Sequence, residues 1–245
     1  MDLHAPHPPL EEYYRGEEGR RSFVRRIFDD TAVDYDRVER MMALGSGSWY
    51  RRRALRRAGL VPGMDVLDVA VGTGLVAREA VAIVGDPRRV VGLDPSIGML
   101  RSASEPLSIV TVQGTAERLP FPSDRFDFVS MGFALRHMSD LSVVFAELLR
   151  VLKPGGRACI LEITRPSGPL SHLIVRTYMR GVVPMLAKVV ARHRDTARLM
   201  RYYWDTIEAC VPPQRVVDGL AAAGFAGARR HVELGIFSEY TGRKA

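Results

Sequence analysis

The sequence predicts an α/β fold, a doubly wound, mostly parallel sheet of seven strands. Three observations predict it. Five short apolar runs alternate with helix-patterned segments between residues 65 and 163, and strand–helix alternation with short connections favours parallel pairing. The first run, Val66-Leu67-Asp68-Val69, enters Gly72-Thr73-Gly74, a turn in which bare backbone can open a helix and approach a ligand closely. Lys153-Pro154-Gly155-Gly156 then stops a helix and turns the chain into the fifth strand.

Each element follows in order. Residues 1–20, with Pro6, Pro8, Pro9 and mixed charges, read as a flexible N-terminus, and residues 21–245 as a single domain. Residues 21–57 read as helices: Phe23, Ile27 and Phe28 share a helical spacing, and Gly45-Ser46-Gly47-Ser48 separates them from a basic helix, Trp49 to Ala58. Strands are expected at 65–70, 89–94, 108–113, 126–131 and 157–163, with helices at 75–84, 96–103 and 140–152. Residues 170–207 form a helical insertion interrupted at Pro184. Its apolar positions, among them Leu173, Ile174, Val182 and Val183, cover more than one face, as in a helix packed on one side and lining a pocket or lipid on another. A helix at 213–223 and strands at 228–234 and 235–242 close the chain.

Composition bounds the function. Hydrophobic content of 47% and charged content of 26% suit an ordinary globular protein. No apolar run reaches the roughly eighteen residues a membrane span needs, and the polar stretch Met1 to Arg21 has no signal-peptide core, which together imply a cytoplasmic protein. Cys159 and Cys210 lack metal-ligand spacing, so no metal is expected. Net charge is +7, and between His172 and Arg201 seven Lys or Arg stand against one acid, Asp195. Such a surface favours nucleic acid or anionic lipid, the plainer alternative being a solvated face.

Gly72-Thr73-Gly74-Leu75-Val76-Ala77 satisfies GxGxxA, which alone admits a nicotinamide or flavin cofactor. Asp94 ends the next strand twenty residues past Gly74, placed to accept ribose hydroxyls. Asp68 lies inside the first strand, where a dinucleotide fold keeps apolar residues. Gln113-Gly114-Thr115-Ala116-Glu117 follows the third strand with polar groups for a purine edge, and no second domain for a hydride acceptor is evident.

Taken with Leu152-Lys153-Pro154-Gly155-Gly156, this series resembles class I S-adenosylmethionine (SAM) methyltransferases. The resemblance implies a Rossmann-like fold, SAM as cofactor and S-adenosylhomocysteine as product. It implies that backbone around Ala70, Gly72, Thr73 and Gly74 holds the methionine part, with Asp68 beside it. Asp94 would take the ribose hydroxyls, Met99 would pack on adenine, and Thr115 and Ala116 would border it.

Phe28-Asp29-Asp30-Thr31-Ala32-Val33-Asp34-Tyr35-Asp36-Arg37 and Gly132-Phe133-Ala134-Leu135-Arg136-His137 are similar to the UbiE-type C-methyltransferases of ubiquinone and menaquinone biosynthesis, over roughly residues 22–243. That implies methyl transfer to a ring carbon of a prenylated quinol, with residues 21–57 and the insertion as a lid and Tyr35 closing on SAM. Arg136 would meet the developing phenolate, a surface ion pair with Asp140 being its alternative role. His137 stands where the family usually carries asparagine and can accept a quinol proton. Gly132, near SAM, stands where the family has serine, so a larger pocket mouth is expected. These departures leave open another small aromatic or natural product as acceptor, with O-, N- or C-methylation. Contact with an anionic membrane surface and a homodimer or biosynthetic complex are the partners considered. An inactive scaffold and nucleic-acid methylation rank below them, the latter for want of an aromatic-flanked amide motif.

Overall fold

In the computed structural model, which describes residues 5–42, 46–191, 193 and 195–245, the apolar runs become seven strands. They are β1 (Val66–Val69), β2 (Val90–Asp94), β3 (Val110–Gln113), β4 (Phe126–Gly132), β5 (Leu152–Ile163), β6 (Ala226–Glu233) and β7 (Phe237–Arg243). They form one sheet in the order β3-β2-β1-β4-β5-β7-β6. The first five run parallel, and β7 is antiparallel to both β5 and β6. The chain steps outward from β1 to β3, then returns to place β4 on the other side of β1. That reversal leaves a crevice at the strands' carboxyl ends, where open α/β sheets bind ligands.

Strand β5 begins at Leu152 rather than at 157. Leu152 pairs with Phe126, and an irregularity carries Pro154-Gly155-Gly156 before regular pairing resumes at Phe128 and Arg157. Gly155 takes a positive φ of 80° there, a conformation glycine adopts without Cβ strain.

Helices α3 (Leu75–Val84), α4 (Ile97–Leu107), α5 (Leu141–Val151) and α9 (Pro213–Ala222) flank the sheet. Strand alternation decides which face each residue serves. Leu67, Val69, Val129 and Met131 pack with Leu148 of α5 and Leu220 of α9. Val66, Phe128 and Leu161 pack on the opposite side with Ala80 of α3 and with Leu55 of α2 (Gly47–Ala58). Each large apolar side chain so buried contributes about 1.5–3 kcal/mol.

A third cluster joins α1 (Gly16–Met42) to α7 (Val183–Val190) and α8 (Thr196–Ala209). Along α1, Arg20, Phe23, Ile27, Thr31, Asp34 and Val38 are buried at helical spacing, a stripe facing that cluster. Asp34 accepts from the backbone N–H of His193 at 2.7 Å, fastening α1 to the start of α8.

Two expectations are corrected here. Residues 5–15 are fixed rather than loose: Pro6 accepts from the Val211 N–H at 2.7 Å, and His7 and Tyr14 are buried. Tyr13 and Tyr14 each pack against Phe23, and this aromatic anchoring outweighs the prolines and charges around it. Residues 1–4 lie outside the described residues. The insertion is not broken at Pro184. After α6 (Pro169–Thr177), a π turn at Tyr178–Val182 leads directly into α7, with Pro184 in the first turn, where its missing N–H costs little. The chain leaves helix at Ala191, which is extended.

Gly74 begins α3 at φ +86°, and a Cβ there would lie 2.6 Å from Leu107 Cδ1 and 3.2 Å from Ala103 Cβ. Gly74→Ala is therefore expected to destabilise the fold by about 2 kcal/mol, lowering the melting temperature by roughly 4–8 °C. An unchanged melting temperature in a calorimetric scan refutes the requirement for glycine.

Candidate active site

A cavity of about 750 Å³ opens at the carboxyl ends of β1, β2 and β4, within the usual range of small-molecule sites, roughly 300–1,000 Å³. Its floor is set by register. Asp68 of β1 lies between Gly92 of β2 and Ser130 of β4. Ser130 Oγ donates to Asp68 Oδ1 at 2.7 Å, while Asp68 Oδ2 is buried with no partner among the described residues. Burial pushes the Asp68 carboxyl up to about 7, partly offset by the Ser130 hydrogen bond. A cationic donor entering the cavity would satisfy that oxygen.

The glycine turn follows directly. Ala70 and Gly72 both hold a φ of 55°, and no atom lies within 4 Å of where a Gly72 Cβ would stand. The turn therefore presents bare backbone to the cavity. Asp94, at the end of β2, accepts from Gly72 N–H at 2.9 Å through Oδ2 and from Ser96 N–H at 2.9 Å through Oδ1. Each oxygen keeps a lone pair for a further donor such as a ribose hydroxyl. Burial pushes Asp94 up to about 6, against the pull of those two N–H groups.

Thr73, Met99, Thr115 and Ala116 also line the cavity, as do Tyr35, Gly132 and His137. Two residues expected in the site do not line it. Gly74 is set behind the turn, where its positive φ starts α3. Arg136 is fully buried beneath the wall: Nη1 pairs with Glu162 Oε2, and Nε donates to Thr206 Oγ1 at 3.1 Å. Its guanidinium sits 3.8 Å from the centre of the Tyr203 ring. The partner is thus neither a ligand in the cavity nor Asp140, which instead caps α5. Burial opposes the Arg136 charge, but Glu162 more than restores it, so the pKa rises.

A third correction concerns Gly132. A Cβ there would fall 2.5 Å from Val76 Cγ2, so Val76 fills the space a serine side chain would take. The mouth is not enlarged.

His137 packs edge-on to Phe28 at 5.3 Å and stacks on Tyr202 at 5.4 Å. Its Nδ1 lies 3.3 Å from the Tyr202 hydroxyl, and Nε2 is buried without a partner among the described residues. Burial, followed by the nearby Arg136, His7 and Arg20, holds its pKa well below 6.5, so the imidazole is neutral at pH 7.

The cover over the cavity is α1, and no described residue between 166 and 209 lines it. The insertion therefore braces α1 from outside and is not itself the lid. Two carboxylates hold α1 down. Asp29 Oδ1 accepts from Ser96 Oγ at 2.5 Å and Gly98 N–H at 3.0 Å, and Asp36 Oδ1 accepts from Thr73 Oγ1 at 2.5 Å. Their spacing of seven, two helical turns on one face, was the available signal. Arg20 and Arg51 also line the cavity unforeseen. Both are buried, each with its Nε unpartnered among the described residues. Arg51 is held by Glu39 at 2.6 Å. Neither stands out in an arginine-rich sequence.

Comparison with known proteins bears on this geometry. A sequence model of the ubiE/COQ5 methyltransferase family matches residues 15–244. The ubiquinone/menaquinone biosynthesis C-methyltransferase UbiE of Hahella chejuensis is 30% identical over 234 residues, 92% of this chain and 93% of that protein. The 2-phytyl-1,4-naphtoquinone methyltransferase of Synechococcus elongatus is 35% identical over 219 residues, 86% of this chain and 91% of that protein. Among solved structures, a SAM-dependent methyltransferase from Thermotoga maritima has a similar fold, with TM-score 0.63 and 19% identity, covering 90% of this chain and 99% of that one.

The raised Asp68 pKa has a stability consequence. Above the ordinary value of 3.8 and up to about 7, the folded chain keeps a proton that the unfolded chain has lost. Stability contributed by the neutral carboxyl therefore falls as pH rises through that window and is level above it. Asp68→Asn is expected to raise the ligand-free melting temperature at pH 8 and to leave it nearly unchanged at pH 4. Calorimetry should show S-adenosylhomocysteine binding weakened about ten-fold or more, the loss of one charged hydrogen bond. Equal melting shifts at both pH values would overturn the desolvation account.

Proposed function

The chain belongs to the ubiE/COQ5 methyltransferase family, and from that premise we propose that it methylates a ring carbon of a prenylated quinol, a demethylmenaquinol or ubiquinol precursor. It is a SAM-dependent methyltransferase. The observation that carries the acceptor reading is the family match over residues 15–244. His137, neutral and with Nε2 unpartnered among the described residues, stands in the wall of the cavity that also contains Asp68, Gly72 and Asp94.

Asp68, the turn at Ala70–Thr73, Asp94, Met99, Thr115 and Ala116 would hold SAM, with Tyr35 over it from α1. SAM supplies an electrophilic methyl group when bound. The chain's own residues must make an aromatic carbon nucleophilic and keep it in position. A ring carbon gains electron density when an adjacent hydroxyl loses its proton. Once methylated, that carbon must shed its ring hydrogen as a second proton, the oxyanion regaining one, to restore the aromatic quinol. His137 Nε2 would take the hydroxyl proton; its lowered pKa leaves it unprotonated at neutral pH but a weaker base, so the transfer would depend on stabilising the oxyanion that forms. Arg20, a buried cation in the same wall that pairs with Glu17 and donates to the Met138 carbonyl, would stabilise the oxyanion through its unpartnered Nε, the part first given to Arg136. Val24, Phe28 and Met138 provide apolar surface for the ring and keep water away. Arg136 then acts through its neighbour, fixing the turn that carries His137.

A lipophilic acceptor also implies peripheral contact with an anionic membrane at its cytoplasmic face. No helix among the described residues is long and apolar enough to cross a membrane. A homodimer or biosynthetic complex is compatible with this reading. A second reading, methylation of another small aromatic at carbon, oxygen or nitrogen, is favoured by the charged outer cavity, where Glu17, Arg21, Arg25, Glu117 and Arg118 suit a polar substrate.

Mass spectrometry of cellular quinones after gene deletion is expected to show a demethylated quinone accumulating; an unchanged profile favours the second reading. In purified protein, kcat with a reduced quinol should show no imidazole titration step between pH 7 and 9, because the His137 pKa lies below that range. His137→Asn should lower kcat about 10²-fold or more, the usual scale of a lost general base, and leave S-adenosylhomocysteine affinity unchanged. Full turnover of the variant across pH 6–9 eliminates the general-base role.

A further inference from the structure

The insertion has two apolar faces and only one is used. Met179, Val183 and Ala187, four residues apart, are buried against α1 and α8. On α6, by contrast, no residue is buried. Leu170, Leu173 and Ile174 stand 70%, 56% and 59% exposed, and Val182 and Met185 continue the surface at 36% and 61%. Isolated exposed apolar residues are ordinary, but five on one continuous helical rod are not.

Charge says what covers this face. From Pro166 to Val190 the chain has no Asp or Glu, while Arg176, Arg180 and Lys188 are exposed along it. Acids stand only at its edge: Asp205 of α8 lies 3.7 Å from Arg180, Glu208 contacts His172 and Arg165, and Glu11 and Glu12 share a shallow pocket with Arg180. A second copy of the chain would meet this face poorly. Two-fold pairing brings like surfaces together, setting these cations against one another with no acid on the face to pair them. A bilayer with anionic headgroups satisfies both requirements, taking the apolar side chains below the headgroups and the cations at their level.

We propose that the outer face of α6 and α7 is an interfacial membrane-docking surface selective for anionic lipid, lying in the headgroup plane rather than crossing it. This rests on the lipophilic-acceptor reading only for its purpose, and the docking itself can be measured without turnover.

The test is co-sedimentation of the full chain with large vesicles of phosphatidylcholine, alone or mixed with phosphatidylglycerol. Binding is expected to the mixed vesicles, weakening as salt is raised. Leu173→Glu with Ile174→Glu should reduce it about ten-fold or more, since two apolar contacts are lost. Arg176→Gln with Lys188→Gln should remove most of the preference for phosphatidylglycerol. Val33→Glu, at a residue 74% exposed on α1, should bind as the unmodified chain does. Matching melting temperatures establish that the variants fold. The proposal is overturned by absence of binding to mixed vesicles, or by full binding of the Leu173/Ile174 variant. It is equally overturned by a concentration-dependent dimer that this variant dissociates, which would make a second copy the occupant. Turnover of a short-chain, water-soluble quinol reports on the acceptor separately, so it can fail while docking stands.

Discussion

The buried pairing of Arg136 with Glu162 is the constraint on which the rest of the site depends. Arg136 comes from the turn after β4 and Glu162 from β5, while Thr206 and Tyr203 reach the same guanidinium from α8. Three separate parts of the chain thus converge on one charge sealed from water. Removing either ionic partner would strand the other, at a cost of about 3–5 kcal/mol, so the sheet and its helical cover are joined with little freedom to slip. His137 is the next residue in the turn. The pair therefore sets both where that imidazole stands and the positive field that, after burial, keeps it unprotonated.

Around this junction the cavity separates its charges. Carboxylates gather where β1 and β2 end, with Asp68 and Asp94 both raised in pKa because burial disfavours their anions. Cations stand toward the turn after β4, namely Arg20 and, one layer down, Arg136, while Arg51 is near enough to Asp68 to oppose its rise. On the proposed function, a cationic cofactor would be drawn to the first group, and a phenolate forming on an aromatic ring would be stabilised by the second. Fixed charges of this kind act strongly in a water-poor cavity, because they need no reorganisation when charge develops.

How much of this could be read from sequence depends on how locally each feature is encoded. The turn at Gly72–Gly74 and the strand-end Asp94 are local: strand alternation and glycine conformation place them without knowledge of distant residues. The partner of Arg136 is not local. Asp140, four residues on, is the obvious choice in sequence, whereas Glu162 arrives only because β4 and β5 align Gly132 with Leu161. Gly132 is similar, since its meaning depends on Val76 occupying the vacant volume from another element. Composition also misleads at the N-terminus, where prolines suggested looseness and Tyr13 and Tyr14 supply an anchor in the aromatic cluster of Phe23 and Tyr202.

Helix α1 shows why the two sides of the cavity, proposed as cofactor site and acceptor wall, form together. It carries Asp29 and Asp36 as its fastenings, Tyr35 between them, and Arg20 and Phe28 toward its start. Its fastenings end on the groups that also shape the cofactor site. Asp94 accepts from Gly72 and Ser96, Ser96 Oγ donates to Asp29, and Thr73 of the glycine turn donates to Asp36. Seating α1 therefore requires the turn and the Asp94 cap to be in place, and seating α1 is what brings Arg20 onto the Met138 carbonyl, one residue past His137. The insertion presses the same helix from outside through Met179, Val183 and Trp204. One helix is thus fixed from below by hydrogen bonds and from above by apolar packing. The cavity wall proposed to meet the acceptor is complete only when both hold.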